Sequence, residues 1–353
     1  MIMNLRSSET NIIGGMFGLE LLGLDMISAD VYEPLFLAGH HLLLATARSA
    51  FTLLARWLHP KTVWLPSYLC GVVLGAFPDH LMEVRFYPIN EQLGIAEENW
   101  LTEIQTNDMV IFIDYFGFSP WIDWGVEARR RGAWVVEDAS QALLSDLFNK
   151  PSHYIIFSPR KFVGIPEGGI LVALAGAGLP DEELPFPPAP WWLEASRASL
   201  LRAEYDRNGG KRTWFEIFQK TEADGPLDPY RMSDLSLQIL RHAVDWKAVS
   251  QQRCDNYNFL ASELRQIAMF PELPSDVVPL GFPVRVEDRD RIRQALFSKN
   301  IYPPVHWPIT NVVPTVFEAS HRLAHEIMTI PCDQRYHQAD MERVVKELVR
   351  ENH

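Results

Sequence analysis

Asp138 and Lys161 each close a short apolar run: Val135-Val136-Glu137-Asp138 in one case, and Tyr154-Ile155-Ile156-Phe157 followed by Ser158-Pro159-Arg160-Lys161 in the other. A lysine at the end of a buried strand is costly as an ammonium, because desolvation lowers its pKa and favours the neutral amine. The neutral amine is the nucleophile that condenses with a carbonyl, so the position suits Schiff-base chemistry. The same two residues can also form a structural ion pair, and spacing alone does not separate the two uses. Gln141 adds an amide three residues after Asp138. Arg160 sets a fixed positive charge beside the lysine, and Gly168-Gly169 opens a third apolar run, Ile170-Leu171-Val172-Ala173. Three neighbouring strands would bring these groups to one edge of a sheet.

The elements needed to position them can be read along the chain. Thr62-Val63-Trp64-Leu65-Pro66, Glu83-Val84-Arg85-Phe86-Tyr87, Met109 to Ile113 and Ala133 to Val136 read as strands. Between them lie helical patterns at 46–58, with Thr46 as N-cap, at 67–77, and at 122–132, closed by Gly132. Apolar strands alternating with helices predict a mostly parallel sheet of about seven strands covered on both faces, with ligands beyond the carboxyl ends of the strands, where Asp114, Asp138 and Ser158 fall. A proline-rich run from Pro180 to Pro190, the pair Trp191-Trp192 and a helical stretch from Leu193 to Tyr205 mark an insertion over about 176–229. Met232 to Leu264 reads as one long helix leading into a C-terminal part. That part holds a strand at 281–286, a helix at 289–299, a proline-rich turn at 302–308 and a last helix at 339–350. The expected organisation is a large α/β domain over 1–245 and a smaller α+β domain over 246–353.

Composition bounds the partners. The 353 residues are 47% hydrophobic and 22% charged, enough for a large core, and the formal charge of -13 argues against general nucleic-acid binding. Cys70, Cys254 and Cys332 fit neither a disulfide framework nor a zinc cluster, which points to a reducing, cytoplasmic setting. The stretch Met1 to Glu9 shows no leader pattern, and the longest apolar run, Gly168 to Leu179, is shorter than the roughly 20 residues needed to span a bilayer. His40-His41 read as structural, and no Gly-x-Gly-x-x-Gly turn indicates a nicotinamide site.

Pyridoxal phosphate asks four things of a protein: a lysine, a carboxylate at its ring nitrogen, a phosphate cup, and a group over the ring. Lys161, Asp138 and the helix start at 46–49 correspond to the first three, and Gln141 is placed to hydrogen-bond the cofactor's phenolic oxygen or the substrate. The words Val136-Glu137-Asp138-Ala139-Ser140-Gln141-Ala142, Phe157-Ser158, Lys161 and Glu167-Gly168-Gly169 resemble the signature of the DegT/DnrJ/StrS sugar aminotransferases. So do Thr46-Ala47-Arg48-Ser49-Ala50, Leu65-Pro66-Ser67-Tyr68, Tyr230-Arg231-Met232-Ser233-Asp234 and Ile330-Pro331, in the same order along the chain.

The resemblance implies a fold type I transferase that uses pyridoxal 5'-phosphate and its pyridoxamine form. It implies Lys161 and Asp138 as catalytic residues and Ala47, Arg48, Ser49, Tyr68, Gln141 and Ser158 as further cofactor contacts. Gly14, Gly15, Tyr115, Arg231 and His306 are the candidates for substrate. The expected partners are an amino donor such as glutamate, a keto or aldehyde acceptor such as a nucleotide-linked keto-sugar, and a second copy of the chain. Pro229 stands where the family has an asparagine, and Asp114-Tyr115-Phe116-Gly117 where it has His-Leu-Tyr-Gly. Those departures motivate one alternative, a catalytically degenerate regulatory or scaffold protein of the same fold; a pyridoxal-phosphate-dependent lyase is a second, chemical alternative.

Overall fold

The strands that carry the candidate residues are among the most apolar segments of the chain, and they lie side by side. The structure, a computed structural model, describes residues 12–20, 34–78, 80–146, 150–174 and 176–352. The stretch Met1 to Glu9, read for a leader, lies outside the described residues. In chain order the elements are β1 (Ile13–Gly14), β2 (His40–Leu44), α1 (Ala47–Leu58), β3 (Thr62–Pro66), β4 (Glu83–Tyr87) and β5 (Met109–Ile113). They continue with α2 (Ile122–Arg130), β6 (Trp134–Asp138), β7 (Tyr154–Phe157), β8 (Gly169–Ala173), α3 (Ala189–Asn208) and α4 (Thr213–Ala223). The C-terminal part holds α5 (Asp234–His242), α6 (Trp246–Glu263), β9 (Phe282–Arg285), α7 (Arg289–Phe297), β10 (Ile301–Tyr302), α8 (Glu318–Glu326), β11 (Ile327–Ile330) and α9 (Gln338–Glu351).

Seven strands form the central sheet in the order β2-β8-β7-β6-β5-β3-β4. The strands from β7 through β4 are parallel, whereas β8 runs antiparallel to both of its neighbours. This is the mostly parallel sheet expected. Every residue of β5, β7 and β8 is buried, as strands covered on both faces require. The diglycine before β8 has a steric purpose: a Cβ at Gly169 would lie 2.3 Å from the carbonyl carbon of Thr46, so only glycine lets β8 pass this close to the start of α1. A second sheet pairs β9 with β11, and α6 and α7 pack against α9.

Three expectations change. Residues 67–77 do not form an α-helix; a 3-10 segment covers Gly71–Ala76, where two glycines and two valines weaken an α-helix. The long helix expected from Met232 to Leu264 is two helices, because Asp245 turns its side chain to cap α6, accepting from Ala248 N–H at 2.9 Å. The insertion is a pair of packed helices, α3 and α4, of which only the first was legible.

Candidate active site

The end of β6 delivers Asp138, and the turn after β7 delivers Lys161. Asp138 is buried and accepts from Ser140 N–H at 3.0 Å. Burial raises its pKa, while the Lys161 charge and Ser140 pull the other way. For Lys161, desolvation lowers the pKa, opposed first by Asp138 and then by Cys70. The two groups therefore share one low-dielectric space, and the amine is more readily neutral there than in water. Cys70 carried no signal of its own in the sequence. It faces the same space, its thiol pushed up by burial and drawn back by Lys161.

Gln141 is buried and divides its amide. Its Oε1 accepts from Phe116 N–H at 2.8 Å, while its Nε2 has no hydrogen-bond partner among the described residues. A buried amide donor left unpaired costs about 1–3 kcal/mol, so it calls for an acceptor that arrives with a ligand. Tyr68 and Tyr115 form one wall, their rings 5.9 Å apart. Tyr115 donates its hydroxyl to the Tyr68 carbonyl at 2.6 Å, and Tyr68 donates its own to the His306 carbonyl. His306 comes from far along the chain. Its Nδ1 shares a hydrogen bond with Thr329 Oγ1 at 2.8 Å, and burial, followed by the Lys161 charge, pushes its pKa down to about 3. It is a neutral imidazole at physiological pH.

The α1 start is capped as expected, with Ser49 N–H donating to Thr46 Oγ1 at 3.0 Å. Ala47, Arg48 and Ser49 lie in its first turn, and Ser158 is buried at the end of β7, its carbonyl accepting from Lys161 N–H at 3.1 Å. The side chains of Arg48 and Ser49 already serve backbone carbonyls of the last turn of α4 and the segment after it.

Other expected residues lie elsewhere. Arg231 is exposed, 3.5 Å from Asp234 and over the Phe186 ring. Gly14 accepts Arg202 at its carbonyl and donates N–H to Tyr336, and the Gly15 carbonyl accepts Arg335, so both serve the turn after β1. Asp114 belongs to the opposite face of the sheet, where its Oδ1 accepts from Trp121 Nε1 at 2.8 Å and from Lys150 Nζ at 3.4 Å. Its side chain stays on that face, and its charge reaches the Lys161 site only as a minor upward push on Asp138, behind burial.

Two side chains that sequence reading missed hold the lysine turn. Arg253, fully buried in α6, donates Nη2 to the Phe162 carbonyl at 3.3 Å, Nη1 to the Pro279 and Leu280 carbonyls at 3.1 and 3.0 Å, and Nε to Gln334 Oε1 at 2.8 Å. Gln334 donates Nε2 to the same Phe162 carbonyl at 2.6 Å. Leu280 N–H in turn bonds the Phe116 carbonyl, whose own residue holds Gln141. The lysine turn and the glutamine are thus fastened to one guanidinium.

No protein-family description matches the sequence, and no curated protein matches it. Solved structures do match in fold. The putative sugar aminotransferase Spr1654 from Streptococcus pneumoniae, in its PMP form, superposes with a TM-score of 0.65 at 16% identity over 88% of this chain and 85% of that one. DesV from S. venezuelae, in complex with a ketimine intermediate, gives 0.64 at 17% identity over 88% and 84%. PseC from Helicobacter pylori, an aminotransferase involved in the biosynthesis of pseudoaminic acid, gives 0.62 at 15% over 89% and 87%. The chain shares the fold of these aminotransferases along most of its length, which is the fold expected from the DegT/DnrJ/StrS resemblance.

Proposed function

We propose that this chain is a pyridoxal-phosphate-dependent aminotransferase that moves an amino group from an amino acid, glutamate first among them, to a keto or aldehyde acceptor of the nucleotide-linked keto-sugar class. The observation that carries the reading is the grouping of Lys161, Asp138 and the unpaired Gln141 Nε2 beyond the carboxyl ends of β6 and β7. It is supported by similar folds solved with PLP and PMP bound. The residues at the ring end fit this cofactor: a carboxylate for a protonated ring nitrogen, a buried amide donor for a ring oxygen, and an amine for its carbonyl carbon. When bound, the cofactor supplies an electron sink for a carbanion at the substrate α-carbon.

This chain's own residues supply the rest. Asp138, its proton affinity raised by burial, would accept a hydrogen bond from a protonated ring nitrogen and so keep the proton there. Lys161 Nζ, biased toward the neutral amine, would take the substrate's α-proton and hold it for return when the amino group is transferred. Tyr68, Tyr115 and neutral His306 form a wall that excludes water without adding charge. We assign the chain a homodimeric state and a cytoplasmic setting as part of the same reading. Among the described residues no helix is long and apolar enough to cross a membrane.

The test is spectroscopic. Purified protein given pyridoxal phosphate acquires a visible band that bleaches on adding glutamate and returns on adding a keto acid. Lys161→Ala loses borohydride-stable attachment of the cofactor. A band that no amino acid shifts would discard the reading in favour of a scaffold.

A further inference from the structure

Arg160, the neighbour of Lys161, directs both of its terminal nitrogens at the carboxylate of Glu222 on α4, Nη2 at 2.8 Å from Oε2. Arg48 donates Nη2 to the Glu222 carbonyl at 3.0 Å and Nη1 to the Gly225 carbonyl at 3.5 Å. Behind it Thr46 Oγ1 donates to the Pro226 carbonyl at 3.3 Å, and Ser49 Oγ to the Asp228 carbonyl at 2.9 Å. The end of α4 and the segment after it are laced across the two guanidiniums. Gly225 permits the approach, since a Cβ there would lie 2.5 Å from Arg48 Nη2. Thr46, Arg48, Arg160, Trp191, Thr221 and Glu222 line one cavity of about 30 Å³. That volume admits a water or two, but not a phosphate group. Burial alone would raise the Glu222 pKa, but Arg160, followed by Arg48 and Lys161, outweighs it and holds the carboxyl below its usual range. Glu222 is therefore an anion at neutral pH.

We propose that Glu222 is a specificity-determining residue, the built-in anion of the Arg48 and Arg160 pair, and that a phosphate-bearing ligand reaches these guanidiniums only by displacing it. The identity of that ligand as the cofactor rests on the function proposed above; the competition itself does not. Because Glu222 belongs to the α3–α4 insertion, the insertion sets how much anionic charge the Lys161 site accepts. With the carboxylate in place, one of the two positive charges is already neutralised. A monoanion or a weakly charged ligand is then favoured over a doubly charged phosphate.

The experiment titrates inorganic phosphate into the full chain by calorimetry. Glu222→Gln, which keeps the shape and loses the charge, binds phosphate about tenfold tighter than the native protein. Glu222→Ala changes affinity in the same direction, Glu216→Gln on an exposed position of α4 leaves it unchanged, and Arg160→Met abolishes the gain. Pyridoxal phosphate gains affinity in Glu222→Gln while pyridoxal, which lacks the phosphate, does not. Phosphate binding that is no tighter in Glu222→Gln, or an equal gain for pyridoxal, overturns the proposal. Tighter phosphate without any amino-acid response of the cofactor band leaves this inference standing and removes the aminotransferase reading.

Discussion

Consecutive residues of β6 send carboxylates to opposite faces of one sheet, and the two faces treat them differently. Glu137 meets Lys150 Nζ at 2.9 Å and Ser152 Oγ at 2.5 Å, and the same lysine lies over the Trp121 ring and beside Asp114. Burial, followed by the Asp114 charge, pushes the Glu137 pKa well above the usual range, while Lys150 and Ser152 pull it back. On the other face Asp138 and Lys161 feel each other's charge, yet among the described residues Lys161 makes no ion pair within 4.0 Å. A carboxylate and a lysine in direct contact satisfy one another and stabilise a fold, whereas a pair held apart beside an unpaired amide leaves room for a third body.

That contrast can be broken in several ways, the largest first. Lys161→Ala lowers transamination by at least about a thousandfold while thermal unfolding moves little, because the ion pair it removes is not closed. If instead the protein loses several degrees of Tm, the two faces are alike. Lys150→Met does the reverse. It leaves two buried acids without their cation and costs about 3–5 kcal/mol of stability, measured by denaturant unfolding, with amino-acid bleaching per folded molecule unchanged. Gln141→Leu removes the unpaired donor together with the Phe116 contact, and lowers cofactor affinity about tenfold in a titration of the visible band.

The smallest effects are in pH dependence. Desolvation depresses Lys161, so its trapping by pyridoxal and borohydride rises through a midpoint below the ordinary lysine value of about 10.4. His306 titrates at about 3 when folded and at its model-compound value of 6.5 when unfolded. Below that value the unfolded chain takes up a proton that the folded one refuses. His306 therefore removes stability as pH falls from 6.5 toward 3, and His306→Gln flattens the fall of Tm between pH 7 and 5.

Much of this was legible in the sequence where local pattern carries the information. Continuous apolar runs gave β5, β6, β7 and β8, and Thr46 marked the start of α1. Asp138, Gln141 and Lys161 stood out because polar residues closing buried strands need a reason. What was not legible arises from contacts between distant segments. Glu222 sits in α4, a helix the sequence pattern did not reveal, and nothing near it in sequence announces Arg160. Arg253 lies within an unremarkable helical pattern, although its three carbonyl partners come from two distant places in the chain, Phe162 and Pro279-Leu280. Asp114 misled for the opposite reason: its position after β5 was right, but strand alternation points it to the face away from Asp138.

The clamp of Arg253 and Gln334 on the Phe162 carbonyl has a consequence for synthesis. By the time the ribosome has made β8, every strand of the large sheet exists and Asp138, Lys161 and Gln141 have all been translated. The guanidinium that fixes the lysine turn is added only with α6, and its glutamine partner only some eighty residues later. It follows that a nascent chain can acquire its central sheet well before its lysine is held in place. Reactivity matures last, and a truncation just before α9 that leaves the sheet intact still spares the clamp, whereas one before Gln334 loosens the lysine without touching the strand that bears it.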